Sequence, residues 1–389
     1  MPGSIIELIN MEMPVISKTI DLMIARVAQN GDTFVDGNPD PVLSAFFPLV
    51  NYPDMQLALM KLIASKPTLA NVIAIDGDIP LKREFVSLTR ENIGHCKVGA
   101  ARMFVESDFD TLREAEKLAA IGSTLASQAI RDAYLQSPIM LTQGVINLHS
   151  MLSIRTACTG ACSYYDVESK VPYELSYTSQ IPTAHLPVPL TTTRRWSILA
   201  TATGIQDIVD HATAYYQTFR RFPRNIVMGL IEATSLRNQA STKLAIAKNK
   251  GVFISGVPTA DEIAAIDAPT LEEISMCIAK KLTGVGSQAT MINFIVSDAL
   301  FYRRDESGVL VSGSYIPAGY YFFAENGFIE RAIVPTASNN YSGGLSTTTE
   351  ILRKEPPQEQ VTVAGRAVPL VSDPRLIAAR NVENTAIAA

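Results

Sequence analysis

The chain has 389 residues, enough for two or three domains with their own cores. It is 47% hydrophobic and only 18% charged, against roughly 25% in an average soluble domain. That balance fits a large core, and it fits extensive subunit contact equally, because interface centres are depleted in charge. With a net charge of −5 and no run of Lys and Arg, the chain lacks the basic stripe of a specific duplex-binding protein. The pairs Arg194-Arg195, Arg220-Arg221, Lys280-Lys281 and Arg303-Arg304 read as solvated faces or ion-pair partners.

Met1 to Glu7 has neither a charged n-region nor an apolar h-region, so no signal peptide is expected. Ser137 to Ile154, the longest uncharged stretch near a helix, is too polar and short for a membrane span. A cytoplasmically made, soluble protein is the expectation. Of the four cysteines only Cys158 and Cys162 are close, and no Cys/His pair of matching spacing completes a metal site. Buried thiols are the expected reading, with no metal and no cofactor.

In chain order, residues 1–68 read as helical pieces and loops, an arm that needs partners to be ordered. Ser4–Gln29 is interrupted by Pro14, and Asn38-Pro39-Asp40-Pro41 is a turn cluster. Residues 69–105 read as a long two-stranded excursion. Ala70–Ile75 is rich in β-branched residues, Asp76-Gly77-Asp78 is a tight-turn signal, and Phe85–Leu88 and Val98–Val105 follow as strands. Such a hairpin is marginal alone and should lie on another surface.

From 108 the pattern is helical. Leu112, Ala115, Leu118, Ala119, Gly122, Leu125, Ala126, Ala129, Ile130 and Ala133 mark one face, with Ser107 and Asp108 as candidate caps. Pro138 breaks the run, and a second helix from Ile139 to about Ala157 ends at Gly160. Residues 161–197 read as extended chain, punctuated by Pro182, Pro187 and Pro189.

From Gly204 the pattern is α/β. Ile205, Ile208, Val209, Ala212, Tyr216 and Phe219 form a helix stripe, and Asn225–Met228 is a short buried strand. Ile231–Lys248 reads as one helix. Thr259-x-x-Glu262 and Thr270-x-x-Glu273 are capping boxes opening two more. Strands are expected at Thr290–Val296, Ala299–Tyr302, Ile316–Ala324 and Phe328–Val334. The glycine-containing turn Ser342-Gly343-Gly344 reads as a flexible linker. Extended chain returns from Glu350, and Asp373-Pro374 starts a last short helix.

Four stretches in order resemble one family. A helix ends in Thr159-Gly160 and leads into extended chain. Trp196, the only tryptophan, is followed by a helix with Asp207 and by Pro223-x-Asn225-Ile226-Val227-Met228-Gly229. Tyr315-Ile316-Pro317-Ala318-Gly319 precedes an apolar strand. Glu355-Pro356-Pro357 is followed by Val368-Pro369-Leu370-Val371-Ser372-Asp373-Pro374. Over roughly residues 108–385 this resembles the major capsid proteins of tailed bacteriophages, most specifically the lambda-type capsid protein E family. The first hundred residues match only by the order of parts.

The resemblance implies an α+β chain with the Hong Kong 97-type capsid fold. Its parts would be an N-terminal arm (1–68), an E-loop (69–105), a peripheral domain with a spine helix (106–203), an axial domain (204–345) and a return to the peripheral domain (346–389). The tail would pair with the strands near 173–190. Asp76, Gly77, Asp78 and Lys82 would form the E-loop tip at a subunit interface. Some relatives crosslink Lys to Asn; Lys82 and Lys97 are suitably placed, but no partner Asn or catalytic acid is identifiable, so crosslinking is not expected. The implied function is a shell of pentamers and hexamers enclosing double-stranded DNA without reading its sequence. Implied partners are further copies of the chain, a scaffolding protein, a portal and a decoration protein, and the protein would reside in the virion.

The same fold also serves cellular nanocompartment shells of the encapsulin type. A cytoplasmic α/β enzyme is the alternative from another class. Its candidate residues are His95, His149, His185 and His211, none in a nucleophile or metal motif. Gly284-Val285-Gly286 lacks the lysine of a phosphate loop.

Overall fold

Proline and glycine set the limits of the longest helix, and the rest of the chain is arranged around it. In the computed structural model, the described residues are 9, 12–16, 18–19, 22, 46–51, 58–63, 87–92, 96–120, 128, 134–165, 172–251, 259–283, 291–304, 307, 309–325, 327, 329–334, 341–342, 345–354, 357–371 and 373–383. Their strands are β1 (Leu49–Asn51), β2 (Ala58–Ile63), β3 (Ser87–Asn92), β4 (Cys96–Phe104), β5 (Ala161–Tyr165), β6 (Pro172–Ser176), β7 (Asn225–Gly229), β8 (Asn293–Ser297), β9 (Leu300–Arg304), β10 (Leu310–Ser314), β11 (Tyr320–Ala324), β12 (Ile329–Val334), β13 (Tyr341–Ser342), β14 (Leu345–Lys354), β15 (Pro357–Val371) and β16 (Ala378–Asn381). The helices are α1 (Glu106–Ala120), α2 (Ser137–Thr159), α3 (Gly204–Phe219), α4 (Leu230–Asn238), α5 (Ala240–Asn249), α6 (Ala260–Ala264) and α7 (Leu271–Leu282).

Pro138 sits in the first turn of α2, where its missing N–H costs nothing. Gly160 ends the helix at φ +73° and donates its N–H to Thr156 O. A Cβ there would meet Ile181 Cδ1 at 2.1 Å, so close packing and backbone geometry both demand glycine. Residues 149–158 are buried on every side, the signature of an internal helix. Buried hydroxyls at Thr142, Ser150, Ser153 and Thr156 are satisfied by carbonyls four residues back.

α2 lies between two sheets. The four-stranded sheet runs β16-β11-β7-β8, with β7 and β8 parallel and the rest antiparallel. Its strands alternate between two cores. Val227, Phe322 and Ala379 face α2, with Met151, Leu152, Ile154 and Cys158. Ile226, Met228, Tyr321, Phe323 and Ala378 face the opposite core, packed by α3, α7 and Trp196.

The second sheet is built on β15. It pairs with β4 over residues 359–367, with β14 over 357–364 and with β12 over 366–371. The overlaps require β4 on one edge, and β14 then β12 in tandem on the other. β1 adds in parallel to β12. Val98, Phe104, Val361 and Val363 share one face of this sheet, and two smaller cores form there with Val145, Ile146, Phe109 and Tyr134.

Several expectations need correction. Residues 12–16 are helical through Pro14, which fits the first turn of a helix better than its interior. Residues 49–51 and 58–63 are strands, although 1–68 reads as helix and loop. The two-stranded ribbon is β2 with β3, Ala58 opposite Asn92 through Ile63 opposite Ser87, so it begins before residue 69. β4, expected in the ribbon, is part of the long sheet. Asp108 does not begin α1: it stands in the first turn and its carboxylate accepts from the Val105 N–H. The helix expected at 231–248 is two, broken at Gln239 in extended conformation. Gln239 cannot continue the helix because its side chain accepts from the Gly204 N–H instead. β12 belongs to the long sheet, not to the α/β unit. In the tail, β15 pairs with β4, β12 and β14, and β6 pairs with β5; the segment 173–190 meets the tail through a parallel bridge from Pro189 to Asn381 and the bond from the Tyr177 hydroxyl to Pro369 O. A last strand, β16, joins β11. Ser342 pairs with Leu345 in an antiparallel pair of strands; Gly343 and Gly344, expected as a flexible linker, lie outside the described residues. The two capping boxes form as expected.

One buried cation ties these layers together. The Arg331 side chain is fully buried; its Nε donates to Phe47 O at 2.6 Å and its Nη1 to Ser150 Oγ at 2.9 Å. Its backbone pairs with Leu49 on β1 and Pro369 on β15. Replacing it with alanine strips a charged donor from a buried carbonyl and leaves a void. The R331A variant is expected to lose about 3 kcal/mol of stability in urea unfolding. It should also release the N-terminal segment to limited proteolysis before the rest. An unchanged midpoint would show that the tie carries no load.

Candidate functional site

The residues expected at the interface tip, Asp76, Gly77, Asp78 and Lys82, lie outside the described residues, as does His95. The structure describes the base from which they spring. β1 is held in the long sheet by β12, β4 is held there by β15, and the ribbon β2–β3 lies between them in the chain. The excursion therefore leaves one sheet and returns to it, and in the strand pairing it stands by itself. Lys97 lies in β4, in register with Arg366 of β15.

The titratable residues that an active site would use are packed as core. His149 is fully buried in α2, and burial, then the charge of Arg331, hold its pKa down at about 3. His211 stacks on Phe323 with ring centroids 4.4 Å apart, and its Nδ1 lies 3.3 Å from the Tyr321 hydroxyl. Burial, Arg380 and His185 lower its pKa well below the ordinary value. His185 stacks on Phe219, with Nε2 3.1 Å from Thr218 Oγ1, and burial then Arg380 lower its pKa to about 4. All three are neutral rings at pH 7, and the Thr218 hydroxyl beside His185 donates its own proton to the Ala214 carbonyl. Burial pushes the Cys158 thiol up, and that of Cys162 to about 11, so neither is a thiolate. Among the described residues no cluster of His, Cys, Asp or Glu could hold a metal ion.

The motif residues instead converge on one structural knot. Tyr315-Ile316-Pro317-Ala318-Gly319 is a turn with Gly319 at φ +84°. Its Gly319 N–H is taken by the buried Glu232 carboxylate at 2.6 Å, and its Gly319 carbonyl accepts from the Val382 N–H at 2.7 Å. Glu232 stands in the first turn of α4, directly after the Pro223–Gly229 stretch. Its other oxygen would lie 2.4 Å from a Cβ on Gly229, which explains the glycine. Burial raises the Glu232 pKa against the pull of the Gly319 N–H.

The Trp196 segment joins the same knot. The Trp196 N–H donates to Val382 O, and the indole Nε1 donates to Asp207 Oδ2 at 3.1 Å. Arg194 pairs with the other oxygen of Asp207. Burial raises the Asp207 pKa, and the bonds from Trp196 and Arg194 oppose it. Trp196 stacks on Tyr321, and Glu383 accepts from both the backbone N–H and the hydroxyl of Ser197. Two of the four stretches thus lock residues 382–383 onto the four-stranded sheet.

Sequence reasoning passed over Glu232, Arg331 and Arg155. Each is a charge set inside an apolar or uncharged run, and that was the available signal.

No family model and no curated protein matches the chain. Among solved structures it is similar to a protein assigned as a prophage capsid protein in Escherichia coli CFT073, at 14% identity, covering 87% of this chain and 91% of that one, with a TM-score of 0.46. It is similar to a phage-related protein from Bordetella bronchiseptica RB50, at 11% identity, covering 96% and 97%, with a TM-score of 0.42. It is also similar to a virus-like particle from Pyrococcus furiosus, at 9% identity, covering 94% and 97%, with a TM-score of 0.34. The functional reading rests on the chain's own residues.

The buried neutral state of His149 has a pH consequence. Its folded pKa of about 3 lies below the ordinary 6.5. The unfolded chain therefore binds the extra proton between those values, and stability falls as pH drops below 6.5. Unfolding midpoints measured from pH 7 to pH 4 should fall less steeply in H149Q than in the unaltered chain. Equal slopes would contradict the assignment.

Proposed function

We propose that this chain is the major capsid protein of a tailed bacteriophage, a subunit that assembles with copies of itself into an icosahedral head. Pentamers and hexamers close around double-stranded DNA, which the shell encloses without reading its sequence. A scaffolding protein, a portal and a decoration protein are the partners this role requires, and the shell is assembled in the host cytoplasm before it becomes the virion.

The observation that carries the reading is the ribbon β2–β3. Two strands alone are marginal in water, and here they are an insertion into a sheet that is complete without them. An element of this kind is stabilised by lying on another surface, and a neighbouring copy supplies one. Asp76, Gly77, Asp78 and Lys82, between its strands in sequence, are assigned to that contact. The order of parts supports the same role: arm, ribbon, spine helix α2, α/β unit around β7 and β11, and a returning tail.

The mechanism is contact exchange. Closing a shell and expanding it require two subunit packings of similar free energy. The core around the four-stranded sheet supplies the rigid body. The ribbon and the residues before β1 supply contacts that can be exchanged without unfolding it.

Electron microscopy of the expressed protein tests this. Closed shells, or rings of five and six, are expected; a monodisperse monomer at all concentrations, even alongside a scaffold, would refute it. Deleting residues 73–85 should leave folded subunits, with an unchanged circular dichroism melt, and abolish shells. Shells of normal yield from that variant would overturn the role given to the ribbon.

A further inference from the structure

Helix α2 carries one formal charge, Arg155, and that residue is only 8% exposed. Among the described residues no carboxylate pairs with it. Its one hydrogen bond in the fold is long, from Nη1 to the Ser163 carbonyl at 3.4 Å. Burial first, and then the like charge of Arg303 on β9, lower its pKa; the sulfur atoms of Cys162 and Cys158 and the Tyr164 hydroxyl pull weakly the other way. A guanidinium stays protonated in proteins all the same. A cation held this deeply is costly unless a counter-charge reaches it.

The space for that counter-charge is present. Arg155 lines an open cleft of about 460 Å³, walled by the end of α2 and by the β5–β6 hairpin. Apart from Glu174, the other groups around it are already committed or neutral. The Thr159 hydroxyl donates to the carbonyls of Arg155 and Ala161. Ser176 Oγ is shared with the Thr178 hydroxyl. The Cys162 thiol is protonated, and Glu174, opposite Ser163 in the hairpin, is exposed at the cleft.

We propose that this cleft is the seat of a single carboxylate from a second copy of this chain, bound by Arg155. The inference rests on the shell reading above. A planar guanidinium matches a carboxylate with two parallel hydrogen bonds. One guanidinium, with the exposed Glu174 carboxylate lining the same cleft and repelling further negative charge, favours a monoanion over a phosphate dianion or a nucleic-acid strand. The chain is itself rich in the needed group, with 38 acidic residues against 33 basic ones.

Assembly of purified subunits, followed by light scattering, tests the seat. Replacing Arg155 with methionine should raise the protein concentration needed for shells about tenfold or more, the loss of a charge-assisted contact at an interface. R155K should fall between. The melting profile of dispersed R155M subunits reports whether they fold. In a second arm that needs no variant, sodium acetate should suppress assembly of the unaltered chain more than chloride at equal ionic strength. Inorganic phosphate should not exceed acetate. Folded R155M subunits that assemble normally, or acetate no stronger than chloride, would overturn the seat and leave the shell reading standing. Unaltered chain that forms no shell in any salt would instead overturn the shell reading.

Discussion

Arg331 is a full positive charge buried out of reach of bulk solvent, and three separate lengths of chain are arranged to hold it. Phe47 supplies a carbonyl, Ser150 a hydroxyl whose own proton goes to Ile146, and β15 the backbone beside it. A leucine at this position would fill the space, but it would leave the Phe47 carbonyl without a donor. Burying a cation is unfavourable by itself, and hydrogen bonds to charged groups return about 1.5–3 kcal/mol each. The arrangement therefore contributes position more than stability. It specifies how the segment at 46–51, the spine helix and the long sheet register against one another. Burial holds His149 neutral, and the same charge adds to it.

The molecule divides its labour between packing and reach. Around β7 and β11 the side chains pack closely, with Trp196 stacked on Tyr321, Tyr321 tilted against Phe323, and Phe323 stacked on His211. The knot formed by Glu232, Gly319 and Val382 closes that body against its own tail. The long sheet is built differently. β15 alone joins β4, β12 and β14, and the ribbon hangs from its partners. The role proposed above calls for both kinds of construction, since a wholly rigid body could not exchange neighbours and a wholly extended one would have no fixed shape.

What could be read from the amino-acid order was local chemistry. Pro138, Gly160, Thr259 with Glu262, and Thr270 with Glu273 mark helix ends because capping is decided within four residues. What could not be read was partnership. Ala58–Ile63 contains Leu, Met and Lys, good helix formers, and becomes a strand only because Ser87–Asn92 lies beside it. Cys96–Phe104 has a strand's residues, but its pattern does not name β15 as its neighbour. Gln239 breaks a helix through a bond to Gly204, 35 residues away. The interface tip at residues 76–82 was placed by resemblance and by a turn signal, and its role remains a proposal for the same reason. Turn chemistry is local and contact between copies is not.

The position of β15 and β16 near the end of the chain has a consequence for synthesis. A ribosome delivers β4, β12 and β14 before the strand that joins them, and β11 before the strand that covers its edge. Loop closure over such separations is slow, and here it must wait for the last part of the message. A nascent chain stalled short of residue 357 thus carries three strands with no common neighbour, and it has no finished sheet from which the ribbon could be presented.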